Sequence, residues 1–224
     1  MNPRVGLAVV GNEAESGLER AGSLLKTAKD QLAETSVDVV QEQDAILTDA
    51  GAVQAGRRFR EANTDLVVLI HATWVRDSIP YLLTQGSGST LFLLGVPYPE
   101  TYSLAAVQHF AGILRNRGSG FKYAYGLPSQ HEVIEAIAKY ARVVKLVKRE
   151  IPYHIGLIGP RPTWRAFGAQ DMTMGEWDLS ELVRASIIHV EMSEFQETVL
   201  QMEGNRQKAL IKRMQDEGKL PERH

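Results

Sequence analysis

Short apolar runs alternate along the chain with longer stretches in which apolar residues recur at helical spacing. The runs RVGLAVV (4–10), VDVV (37–40), DLVVLIHA (65–72), STLFLLGV (89–96) and FKYAYG (121–126) are continuous or nearly so. Unbroken runs of this kind mark strands covered on both faces, as in a parallel sheet. The intervening segments predict helices over 16–33, 50–62, 76–85 and 101–117. Ser16 with Glu19 has the spacing of a capping box, and Asp49 and Thr101 stand where each can accept unpaired N–H groups opening the second and fourth helices.

Five such strands joined by four crossovers predict an α/β fold, a doubly wound parallel sheet of flavodoxin/Rossmann-like type with flavodoxin-like strand order. A long helical segment follows Pro128, in which Val133, Ile137, Tyr140, Val144 and Val147 keep helical spacing until Pro152 stops it. It reads as a link between two domains, 1–150 and 151–224. The second opens with a strand, YHIGLIG (153–159), then a loop, a helix near 176–184, a strand SIIHVEM (186–192) and a polar helix near 193–217. Two strands in so short a span make a marginal core with open sheet edges, so this portion is expected to be an incomplete second α/β domain that needs a partner.

Composition narrows the classes further. The chain has 224 residues, 44% hydrophobic and 23% charged, close to ordinary globular values. A net charge of −2 with scattered basic residues argues against nucleic acid and acidic lipid as partners. There are no cysteines, which excludes disulfides, zinc–thiolate sites and thiol nucleophiles. The N-terminal apolar run is too short for a signal-peptide core or a membrane span, so a cytoplasmic location is expected.

Several chemistries find no foothold. VVGNEAESG follows a strand but lacks the glycine spacing of a dinucleotide loop, and GSGST (86–90) precedes a strand instead of opening a helix; both read as turns. No nucleophile elbow follows a strand. His189 and Glu191 share one face of a predicted strand, but no third ligand accompanies them, so no metal site is expected. What remains are groups at the carboxyl ends of strands, where open α/β sheets bind ligands. These are Asn12, Glu13 and Glu15; His71, Trp74, Arg76 and Asp77; Tyr98, Glu100 and Tyr102; and Arg161, Thr163, Trp164 and Arg165. An aromatic beside a charge suits a polyol, stacking on its C–H face while the charge bonds its hydroxyls. Trp74 and Trp164 equally fit a structural reading as caps on the sheet top. His71 reads as a hydrogen-bonded residue closing its strand, and Arg76 with Asp77 as a pair at a helix start.

The segments VGLAVVGNEAE, DLVVLIHATWVRDSIPYLL, TLFLLGVP, HIGLIGPRPTWRAFGAQDM and SIIHVEMSEF together resemble the N-terminal half of the L-fucose isomerase and L-arabinose isomerase superfamily. The resemblance covers essentially the whole chain through loose motifs. It implies aldose–ketose isomerisation, in which manganese polarises the sugar carbonyl while a carboxylate shuttles a proton. In that family the cation ligands lie mainly beyond the matched region, so this chain is expected to carry substrate-covering and assembly domains, to hold no cofactor itself and to be inactive alone. The resemblance further implies substrate-facing roles for Glu13 or Glu15, Trp74 and His71, with Arg161 and Trp164 lining the same cleft from the second domain. The chain's GNEAESG departs from the polar and aromatic run of arabinose isomerases, which leaves the sugar open. The implied partners are a monosaccharide and either further copies of this chain or a separate chain supplying the catalytic half. A non-enzymatic sugar-binding or sensor domain and a purely structural assembly subunit are the alternatives.

Overall fold

Six consecutive residues, Leu66–His71, are fully buried, and they form the middle strand of a five-stranded parallel sheet. The computed structural model describes residues 2–148, 153–159, 175–183, 185–201 and 204–216. The strands are β1 (Arg4–Val10), β2 (Asp38–Gln41), β3 (Leu66–His71), β4 (Thr90–Gly95) and β5 (Phe121–Tyr125). Their order, β2-β1-β3-β4-β5, is the flavodoxin-like one. Register runs without slip from Val5 opposite Leu66 to Val10 opposite His71, and from Leu66 opposite Thr90 to His71 opposite Gly95.

Alternation of side chains divides the core in two. Val5, Leu7, Val9, Leu66, Val68, Ile70, Phe92 and Leu94 face α1 (Ala21–Ala33) and α5 (His131–Lys148). Ala8, Val10, Val67, Leu69, Leu91 and Leu93 face α2 (Asp49–Glu61), α3 (Ser78–Ser87) and α4 (Ser103–Asn116). With helices on both faces the sheet is doubly wound, a Rossmann-like α/β fold. Each inner strand therefore carries polar residues only at its ends, Arg4, His71 and Thr90, which is why its sequence reads as a nearly unbroken apolar run.

The helix after Pro128 packs into this first unit. Val133, Ile134, Ile137, Ala138, Ala141 and Val144 of α5 are buried in the core, and Lys145 reaches Asp65 at 3.1 Å, the same carboxylate that accepts the Arg4 backbone N–H at 2.7 Å. Val147, on the expected apolar stripe, is about half exposed.

Helix starts differ from expectation in an instructive way. Thr48, not Asp49, caps α2, its Oγ1 accepting the Gly51 N–H at 3.1 Å; Asp49 instead accepts the Ser78 hydroxyl at 2.7 Å and ties the starts of α2 and α3. The Ser16–Glu19 capping box does not form. Gly17 adopts φ 101°, a 3-10 turn over Leu18–Arg20 precedes α1, and the Glu19 carboxylate accepts the Gly17 N–H at 3.0 Å. A side chain at Gly17 would meet Thr101 Cγ2 at 2.3 Å, so glycine here satisfies both the left-handed backbone and the close approach of two loops. Thr101 does accept the Ser103 N–H, at 3.3 Å, although α4 begins at Ser103.

The chain divides into two compact units, Met1–Arg149 and Glu150–His224. The second holds β6 (Tyr153–Ile158), α6 (Glu176–Val183), β7 (Ala185–Val190), α7 (Met192–Gln201) and α8 (Gly204–Asp216). Its β6 and β7 pair in parallel from Tyr153 opposite Ala185 to Ile158 opposite Val190. Glu191 falls just outside β7, so it shares no strand with His189. Among the residues of this unit whose burial is described, only Ala185 is buried, while Trp177, Leu182, Ile188 and Leu200 are exposed. Among the described residues of this unit, two paired strands and three helices bury too little apolar surface to form an ordinary core.

Helices α2 and α3 touch through glycines. A Cβ at Gly56 would lie 2.8 Å from both Gly86 Cα and Leu83 O, backbone atoms that cannot step aside. Gly56→Ala is expected to lower stability in urea unfolding by roughly 1–3 kcal/mol, despite alanine's helix preference of about 1 kcal/mol. At Gly112 in α4 nothing lies within 4 Å, so Gly112→Ala is expected to raise stability by about 0.5–1 kcal/mol. Equal effects at the two sites would contradict the close helix contact.

Candidate functional site

In this strand order the chain leaves β1 outward to β2 and returns across it to β3, so the crevice between β1 and β3 is the topological switch point. That crevice is plugged. Thr73 Oγ1 accepts the Asn12 N–H at 2.9 Å and donates to Trp74 O at 2.9 Å. A Cβ at Gly11 would meet Leu18 Cδ1 at 2.6 Å and Thr73 Oγ1 at 3.2 Å. Leu18 and Thr73 thus occupy the space closest to the strand ends.

The loops are stitched together further along the sheet edge. Ser103 Oγ donates to His71 O at 2.6 Å and accepts the Val96 N–H at 2.8 Å, while Trp74 N–H donates to Thr101 O at 2.8 Å. Arg20 pairs with Glu100 at 2.7 Å and lies 4.3 Å above the Tyr98 ring. Glu100 is held below the usual carboxylate range by a backbone hydrogen bond and then by Arg20. The loops after β1, β3 and β4 therefore form one hydrogen-bonded crown.

Two of the expected site residues flank the crown on opposite sides. Trp74 is half-buried, and its indole stacks on His109 of α4, centroids 5.7 Å apart at 20°. His109 Nδ1 in turn lies 3.2 Å from Asp77 Oδ1. Asp77 therefore pairs with His109 across to α4, and not with Arg76. Glu13 lies on the far side of β1, lining an open cleft of about 620 Å³ with Gln41, Glu42, Asp44, Thr48 and Arg58 among others. Glu42, almost buried, is gripped by both Arg58 Nε, at 2.9 Å, and Arg58 Nη2. Neither Trp74 nor His71 lines this cleft. Glu15 donates its backbone N–H to Asn12 O at 3.1 Å within the β1 loop and is partly exposed. Arg161 and Trp164 lie outside the described residues, as do Thr163 and Arg165.

His71 corrects an expectation. It is fully buried, and neither ring nitrogen has a hydrogen-bond partner, so it does not close the strand by hydrogen bonding. Strand alternation puts its ring on the side of Val67 and Leu69, beside Phe110 at 6.4 Å, in the apolar layer under α4. Burial without a partner favours the neutral ring and lowers its pKa from 6.5 to about 4.

Thr73, Ser103 and His109 escaped the sequence reading. The first two are small hydroxyl residues whose role appears only when two loops meet. His109 belongs to a helix whose buried stripe gives it no special spacing, and only the crossing of α4 over the β3 loop brings it to Trp74. Among the described residues no three His, Asp or Glu side chains come together to hold a metal ion, and no helix is long and apolar enough to cross a membrane. No family model matches the chain, and neither does any curated protein.

The depressed His71 pKa fixes a pH dependence. Above 6.5 the ring is neutral in both states and stability is intact; as pH falls toward 4 the unfolded chain takes up a proton that the folded chain refuses, and stability is lost. Between about pH 7 and about pH 4.5, wild type is expected to lose roughly 2–3 kcal/mol more unfolding free energy than His71→Leu. Parallel losses in urea titrations of the two proteins would contradict the neutral, unpartnered ring.

Proposed function

We propose that this chain is a sugar ketol-isomerase-related protein that supplies a substrate-covering wall and an assembly unit, with the cation-bearing catalytic centre contributed by other polypeptide. The ligand class is a monosaccharide. The observation that carries this reading is Trp74, a partly exposed indole at the carboxyl end of the middle strand, held flat by His109 and fixed through its backbone to Thr101. A rigid aromatic face suits the C–H surface of a sugar ring, and the neighbouring crown offers the partly exposed Arg20–Glu100 pair and the exposed Tyr102 for its hydroxyl groups.

The resemblance to the L-fucose and L-arabinose isomerases supports the same assignment, because in enzymes of that family the first-domain loops close over a sugar. The second unit supports the assembly part. Its paired strands β6 and β7 and its exposed Trp177, Leu182 and Leu200 are the features of an α/β layer that gains its core from further strands, whether from another copy of this chain or from a separate one. Manganese, which the resembled enzymes use, is assigned to that other polypeptide. The work of this chain is to bind and orient the sugar and to keep water from it.

One wall of a pocket binds weakly on its own. Titration of the chain with L-fucose, L-arabinose and their epimers, followed by NMR, is expected to show millimolar affinity for one L-configured sugar. Trp74→Ala is expected to weaken that affinity by roughly 1–3 kcal/mol, the scale of ring stacking on an aromatic side chain. Micromolar binding by the chain alone would favour a self-sufficient sensor, and equal affinity in Trp74→Ala would remove the indole from the site.

A further inference from the structure

The Trp74 residue is held at its backbone and again at its ring. Its backbone N–H is bonded to Thr101 O at 2.8 Å and its carbonyl accepts from Thr73 Oγ1 at 2.9 Å, which fixes the backbone but leaves both side-chain torsions free. The ring plane is set by His109, 5.7 Å away and only 20° from parallel. His109 is itself half-exposed on α4, with 54% of its side chain accessible, and an imidazole so placed would rotate unless tethered. The tether is Asp77, whose Oδ1 lies 3.2 Å from His109 Nδ1. Asp77 stands at the N-cap of α3 without capping it through its side chain, so its carboxylate is available for this pairing.

We propose that Asp77 and His109 are a positioning pair for Trp74. The carboxylate accepts from Nδ1–H and fixes the imidazole, and the imidazole fixes the indole as a preset face for a ring-shaped polyhydroxyl ligand. The contacts close a loop from α3 to α4 and back to the β3 loop, so the face is established before a ligand arrives. In the neutral ring, donation from Nδ1 leaves Nε2 as an acceptor. The ligand class rests on the carbohydrate reading given above; the positioning does not.

The test separates the two. In the chain labelled with fluorotryptophan, the Trp74 fluorine resonance is assigned by its loss in Trp74→Phe. His109→Ala is expected to shift and sharpen this resonance, as an unstacked ring reorients faster; His109→Phe, which keeps a stacking partner, is expected to restore the parent line; and Asp77→Ala is expected to reproduce part of the His109→Ala change. The urea midpoints of His109→Phe and parent serve as the folding control. A Trp74 resonance unmoved in His109→Ala overturns the proposal, as does an Asp77→Ala spectrum identical to that of the parent. In sugar titrations His109→Ala is expected to lose affinity about 2- to 10-fold, the worth of one aromatic pair, with recovery in His109→Phe. A moved resonance in a chain that binds no sugar upholds the positioning pair and rejects the carbohydrate reading.

Discussion

Burial of β3 on both faces is the constraint on which the rest depends. From Leu66 to His71 no side chain touches solvent, so the strand cannot shift in register without driving a large apolar residue into the wrong layer. Because β3 is fixed, its last carbonyl is fixed, and Ser103 uses that carbonyl to anchor the start of α4 and the end of β4 together. Thr73, two residues on, anchors the β1 loop, and Trp74 anchors the turn before α4. The ordered crown at the sheet edge is thus a consequence of core packing transmitted through the Ser103 and Thr73 hydroxyls to neighbouring backbone groups, and through the Trp74 N–H to Thr101 O. Loops held this way are pre-positioned on the scaffold.

The same packing separates two polar regions that the sequence alone makes look like one. Glu13 and Trp74 both follow buried strands, and both stand at the carboxyl edge. Yet Leu18 and Thr73 fill the crevice between β1 and β3, leaving Glu13 with the Glu42–Arg58 pair on one side and Trp74 with His109 on the other. Open α/β sheets bind at such a switch point. Here the point is occupied by the protein's own side chains, and the exposed aromatic surface is displaced toward α4.

Much of the fold was legible because it follows from periodicity. Runs of apolar residues became inner strands to within one residue at most ends, and the flavodoxin-like order expected of them is the one observed, although five strands and four crossovers fit other orders too. The caps were less legible: Thr48 and Asp49 are both good caps, and only the approach of Ser78 decides which one turns toward its own helix. Gly17 was unreadable as a helix break because its reason, the approach of Thr101, lies far away in sequence. His71 misled for a related reason. At the polar end of a strand a histidine is expected to find a partner, but alternation sends this ring into the layer shared with Phe110. Trp74 was legible as a candidate through residue type and position, whereas its support, His109, comes from a helix that crosses above it.

In the second unit the described strands pair with correct parallel register and yet enclose almost nothing. Among the residues of this unit whose burial is described, Ala185 alone is buried. Under the proposed function the crown is a pre-formed sugar-facing surface centred on Trp74. Backbone and indole N–H resonances followed by NMR during addition of L-fucose or L-arabinose test it most directly. The expected result is a compact set of shifted signals at the Trp74 indole, Asp77, Thr101 and His109, with the interior strands unchanged. Shifts confined to the Glu13 and Arg58 cleft, or none at Trp74 at saturating sugar, would contradict it.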